Sequence, residues 1–168
     1  MRCFDWTSQD AYQLVALGYS SGRSLLGRLE LDQENQYQLK FTSEFLPKHV
    51  RACTDIAFSH VNSSRLAIGF EKARQDFGLM IWDIESANSK GHFEIYNQES
   101  SQSLVPDQEN KSAPGPGALA RKPVVQYGLS ETVSSMAWFH RTQDQMAVGM
   151  SQKWIRLFDL RGKNLASF

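Results

Sequence analysis

The stretch from His49 to Ile84 constrains the fold of this chain more than any other. It reads HVRACTDIAFSHVNSSRLAIGFEKARQDFGLMIWDI. Strand-length apolar runs occupy residues 55–58, 66–70 and 79–84. Asn62, Ser63 and Ser64 separate the first two, and a polar loop over 71–78 separates the second from the third. Short apolar runs punctuated by turn-formers predict an antiparallel meander.

The run ends in Trp82-Asp83, the dipeptide that closes the third strand of a WD-repeat propeller blade. A blade of this kind implies further copies, and the chain offers two. Residues 1–31 form a first, and TVSSMAWFHRTQDQMAVGMSQKWIRLFDLR over 132–161 forms a last. Trp6, Phe58 and Trp138 are expected to end first strands, and Gly18, Gly69 and Gly149 to close second strands. Gly27-Arg28, Trp82-Asp83 and Phe158-Asp159 are expected at third-strand ends. Fourth strands are expected over 37–42 and 123–127, with 165–168 beginning another.

The expected fold is therefore all-β, a partial WD-repeat β-propeller of about three blades. Residues 1–84 hold the first two blades, and 123–168 hold the outer strand of the second blade plus the third blade. Residues 85–122 are rich in Ser, Gln, Asn, Pro and Gly, and are expected to be a disordered, low-complexity insertion. Blades of roughly 40–45 residues and rings of roughly 4–8 blades leave this arc unclosed. Its terminal blades would expose sheet edges and faces, so the chain is expected to be part of a longer protein, a truncated gene model or a partial copy, and to aggregate alone.

Charge and composition narrow the function classes. Lys plus Arg and Asp plus Glu are equal at 18 each, which gives no electrostatic case for nucleic acid or an anionic membrane. Cys3 and Cys53 are the only cysteines and lack any CxxC spacing, so two reduced thiols are expected and no metal or cofactor. No run reaches the roughly 20 apolar residues of a membrane helix, and MRCFDWTSQD lacks a signal-peptide core. An intracellular protein without direct membrane insertion is expected.

His49, Asp76 and Trp82 are spaced for the buried hydrogen-bond chain that staples WD blades, although the hydroxyl position before Gly69 is Ile68. A catalytic role for the histidine and acid would need a nucleophile, and none accompanies them, so no enzyme is expected. His60 and His140 follow first strands and read as exposed turn residues. The charged loop containing Glu71, Lys72 and Arg74 is a candidate contact for a protein partner. Asp159 and Arg161 are a second candidate, because Phe158-Asp159-Leu160-Arg161 resembles the WDxR-type box of cullin ubiquitin-ligase substrate receptors. That resemblance supplies the alternative function, beside a generic WD-repeat adaptor.

A more specific resemblance runs through the middle copy. Glu44-Phe45 with Pro47-Lys48-His49, then Lys72, Arg74 and Asp76-Phe77, then Ile81-Trp82-Asp83-Ile84, resemble the EF-PKH, KxRxDF and IWDI elements of the WD-repeat protein mio family. Phe158-Asp159-Leu160-Arg161 and the opening Met1-Arg2-Cys3 with Trp6 are similar to it as well. The resemblance implies a propeller scaffold in a SEA/GATOR-type complex on the cytoplasmic face of the vacuole or lysosome, with other protein subunits as partners. It implies a role upstream of the TOR kinase in amino-acid sensing. The helical solenoid and zinc-binding region of that family have no counterpart in these residues.

Overall fold

The computed structural model describes residues 1–9, 12–74, 76–85, 122–161 and 163–167, the last of these as backbone. The expected insertion over 85–122 lies almost wholly outside the described residues. The described chain is built of antiparallel strands in three four-stranded sheets, each a meander. The first sheet takes β1 (Cys3–Gln9), β2 (Tyr12–Gly18), β3 (Ser24–Leu31) and β4 (Tyr37–Phe45) in chain order. The second takes β5 (Cys53–Phe58), β6 (Arg65–Phe70), β7 (Leu79–Asp83) and β8 (Val125–Tyr127). The third takes β9 (Val133–Trp138), β10 (Gln145–Met150), β11 (Ile155–Asp159) and β12 (Lys163–Ser167). These are the blades of a partial propeller, and β5 packs between β1 and β9 as the inner strands.

Burial separates the middle blade from its neighbours. One face of the middle blade carries Ile56, Phe58, Leu66, Ile68, Met80 and Trp82 against the first blade. Its other face carries Ala57, Ala67, Leu79 and Ile81 against the third. Two buried faces explain why β6 and β7 read as unbroken apolar runs rather than as alternating ones. The first and third blades bury one face each. Leu14, Ala16, Leu26 and Phe45 point inward from the first, and Val133, Met146, Val148 and Phe158 from the third. Each large apolar side chain so buried contributes about 1.5–3 kcal/mol, so the blade-to-blade cores hold the arc together.

Small residues set the blade spacing. A Cβ at Gly69 would lie 2.5 Å from Val133 Cγ1, so the third blade's inner strand seats directly on this glycine. Gly18 serves the first interface in the same way, with Cys53 Sγ 2.5 Å from where its Cβ would stand. Gly18 and Gly69, two of the three glycines expected to close second strands, are thus sockets for the next blade, whereas a Cβ at Gly149 would meet Ser135 of its own blade.

Two details depart from the sequence expectation. β1 runs through Trp6 to Gln9, and Trp6 is 56% exposed whereas Phe58 is 1%. Trp6 lies an odd number of residues from the inward Cys3, which puts it on the opposite face of the strand. Gly27-Arg28 lies inside β3, which continues to Leu31, so the first blade has no dipeptide-terminated third strand. The fourth strand expected to begin at 165 is present as β12, which starts two residues earlier, pairs with β11 and completes the third blade.

Candidate protein-interaction surface

The loop between β6 and β7 of the middle blade is anchored at several described residues. Its root is set by backbone bonds: Phe70 N donates to Gly78 O at 2.9 Å, and Glu71 N to Ala52 O at 3.0 Å. Arg51 lies beneath it. The Arg51 guanidinium sits 3.3 Å from Asp76 Oδ2, and the two side chains are only 5% and 2% exposed. It also donates to the Phe77 carbonyl and, at 3.5 Å, to the Glu71 carbonyl, and it lies 4.7 Å over the Phe70 ring. Asp76 Oδ1 accepts from Phe77 N at 2.7 Å, which turns the chain back toward β7. Burial lowers the Arg51 pKa and the Asp76 carboxylate opposes that shift.

Both neighbouring blades grip the same loop. Arg2 of the first blade donates to Glu71 Oε1 at 3.0 Å. Thr132, at the start of the third, accepts from Lys72 N at 3.0 Å. The Glu71 charge is thereby answered, while the Lys72 and Arg74 side chains are exposed and Phe77 is 41% exposed. The loop therefore presents Arg74 and the Phe77 ring, residue types enriched at protein interfaces, with Lys72 beside them on a braced backbone. Among the described residues no group of three or more His, Cys, Asp or Glu side chains is placed to hold a metal ion. No helix of the described chain is long and apolar enough to cross a membrane.

The expected His49–Asp76–Trp82 chain is not what the structure assembles. His49 is exposed, and Arg51, two residues on, pairs with Asp76 in its place. Trp82 is buried beside Phe45, with ring centroids 5.3 Å apart, and its Nε1 has no partner among the described residues. Arginine supplies several donors in a fixed fork and so holds the carboxylate and two carbonyls at once, which a histidine ring cannot do. Phe45, from the EF-PKH element, is thus an inter-blade core residue. His60 and His140 are exposed, as expected for turns, and their rings stack at 5.1 Å across adjacent blades.

Asp159 and Arg161 form a local fork. Arg161 Nε donates to Asp159 Oδ1 at 2.9 Å and Nη2 to Oδ2 at 2.5 Å, while Arg161 N donates to Oδ1 at 3.0 Å. These bonds hold the Asp159 pKa well below the usual carboxylate range. The Asp159 side chain is buried and the Arg161 side chain largely exposed, so of this pair only Arg161 is open to a partner.

Residues invisible as site candidates in sequence turn out to join the blades. Asp5 Oδ2 accepts from Phe58 N at 2.7 Å, and Asp55 Oδ2 from Met136 N at 2.6 Å. Each carboxylate caps an amide on the next blade's inner strand. Trp138 Nε1 donates to Ala57 O at 3.0 Å, and Tyr127 donates its hydroxyl to Asp159 O at 3.2 Å. The only sequence signal for the carboxylates is an aspartate two residues after a cysteine in both β1 and β5.

Comparison with known proteins agrees with this geometry. The chain is similar to the C-terminal WD40 domain of Sif2, with a TM-score of 0.59 and 15% identity, over 99% of this chain and 36% of that one. It is 32% identical over its whole length to the GATOR2 complex protein MIOS-A of Xenopus laevis, and 28% identical to the GATOR2 complex protein MIOS of Danio rerio. It is 26% identical over 98% of its length to the GATOR2 complex protein MIOS of Dictyostelium discoideum. It spans 18%, 18% and 16% of the lengths of these relatives. The family model described as MIOS, WD40 repeat, matches residues 1–168, taking in the Arg51-anchored loop and all three blades, and the chain belongs to that family.

Proposed function

We propose that this chain is a non-enzymatic WD40 scaffold within a GATOR2-type complex, serving the relay of amino-acid availability to the TOR kinase. The observation that carries the proposal is the family match along the whole chain, together with relatives named as GATOR2 complex proteins. The braced loop suits that role. Its backbone is fixed by Arg51, Ala52 and Thr132, and Arg2 holds the Glu71 side chain, so little ordering entropy is lost when a partner meets Lys72, Arg74 and Phe77. Arg161, at the rim of the third blade, is a further contact of the same kind. Residues 85–122 are proposed as an insertion on the second blade, since β7 ends at Asp83 and its partner β8 begins at Val125. The partners are other protein subunits, and the site of action is the cytoplasmic face of the vacuole or lysosome.

Affinity capture of the full-length protein from cells tests this, with co-purifying proteins identified by mass spectrometry. Recovery of the other subunits of a GATOR2-type complex is the expected result, with loss of the protein blunting the TOR response to amino-acid refeeding. Capture without those subunits, and an unchanged response, overturns it.

A further inference from the structure

Cys3 and Cys53 are 50 residues apart in sequence, yet their sulfurs lie 3.4 Å from each other across the interface between the first two blades. Both sit at the start of an inner strand, β1 and β5. Their backbones are tied independently of the sulfurs. Cys3 is in register with Gly18, Arg2 N donates to Gly18 O at 2.7 Å, and Cys53 N donates to Tyr19 O at 3.0 Å. Gly18 forms the floor beneath the pair, since a Cβ there would lie 2.5 Å from each sulfur. Both thiols are free, Cys3 half-buried and Cys53 buried.

We propose that Cys3 and Cys53 are an oxidative modification site, at which a peroxide converts the facing thiols into a reversible disulfide joining the first blade to the second. The more accessible Cys3 sulfur attacks the peroxide O–O bond, giving a sulfenic acid and one water. The Cys53 sulfur then attacks Cys3 Sγ and displaces the hydroxyl as a second water. Two thiol hydrogens and one hydrogen peroxide thus become one S–S bond and two waters, with sulfur oxidised and peroxide oxygen reduced. The polarity of the pair favours this order. The bond from the Cys53 thiol lowers the Cys3 pKa against the opposing effect of burial, whereas the bond to Cys3, and then burial, push the Cys53 thiol up.

The bond would act on the candidate contact loop. Arg2, next to Cys3, holds the Glu71 carboxylate, and Ala52, next to Cys53, holds the Glu71 amide. Joining the sulfurs fixes both anchors of Glu71 relative to each other. The cross-link itself is independent of the scaffold reading; its bearing on partner binding rests on that reading.

The test treats the full-length protein with hydrogen peroxide, blocks remaining thiols by alkylation, and digests with trypsin without reductant. The expected product joins peptides 3–23 and 52–65, with a mass two hydrogens below their sum, and dithiothreitol separates them. Hydrogen exchange over residues 71–78 should slow several-fold in the oxidised protein. Alkylated thiols alone, oxygen addition at Cys3 without a cross-link, or links only between separate chains would each overturn the site. A cross-link with unchanged exchange over 71–78 would overturn the coupling to the loop while leaving the site standing. Both readouts use the unsubstituted protein, so neither depends on a cysteine variant folding.

Discussion

Asp55 of the middle blade caps the Met136 amide of the third blade through Oδ2 at 2.6 Å. Its carboxyl pays for that position: burial raises its pKa, and the bonds from Ile56 and Met136 only partly offset the rise. A raised folded-state value means that the native protein holds this proton to higher pH than the unfolded chain does. Asp55 therefore favours folding most at acid pH, and the contribution falls as pH rises from the unfolded carboxylate value through the folded one. Asp55→Asn keeps an acceptor and removes the charge, so relative to wild type it should be more favourable at pH 7 than at about pH 4. Asp55→Ala should cost about 1–3 kcal/mol at neutral pH, because the Met136 amide is left without its acceptor. Urea melts at the two pH values separate the substitutions.

Arg51 and Asp76 predict a larger effect. Replacing Arg51 by Met leaves a carboxylate buried without its cation, which should destabilise by about 3–5 kcal/mol. Asp76→Asn in the same chain should recover much of that loss, giving a favourable coupling in a double-mutant cycle. Hydrogen exchange should show the loss centred on 71–78. His49→Ala, by contrast, should change stability little, because His49 is exposed.

Much of the fold was legible because its signals are local. Strand periodicity, turn residues and the glycines Gly18, Gly69 and Gly149 each depend on a few neighbouring positions, and they located the blades. The pairings between blades depend on which residues of different sheets come opposite one another. That is why Asp5 and Asp55 looked like ordinary strand residues. The same limit gave His49 the place that Arg51 holds, since spacing alone does not say which side chain turns inward. Trp6 shows the cost of a shift in strand parity: its aromatic character matches it to Phe58, while its face is the outer one.

Gly69 offers a packing test. Gly69→Ala would push a methyl into Val133, whose branched side chain is fully buried and has little room to move. A cost of about 1–3 kcal/mol is expected. Val133→Ala in the Gly69→Ala background should give part of it back, although each change alone destabilises. Thermal melts of the four combinations provide the readout.

Asp159 carries the opposite pH signature from Asp55. Arg161 lowers its pKa, so its contribution is present above the unfolded carboxylate value and is lost as pH falls through the folded one. Arg161→Ala should move the Asp159 titration toward the ordinary range and bring that loss in at higher pH. The backbone amide of residue 161, which the substitution leaves in place, should keep part of the shift, with a smaller share from Gln145, which donates to Asp159 Oδ2 at 3.2 Å. Carboxyl-carbon NMR titration reads it directly.

The exposed cations of the braced loop carry the central claim. The measurement is recovery of the other complex subunits with affinity-captured full-length protein bearing Lys72→Glu and Arg74→Glu. Recovery should fall about tenfold or more, as for the loss of charged contacts at an interface, with the melting temperature unchanged. Undiminished recovery with a correctly folded variant would contradict the assignment of this loop as the contact surface.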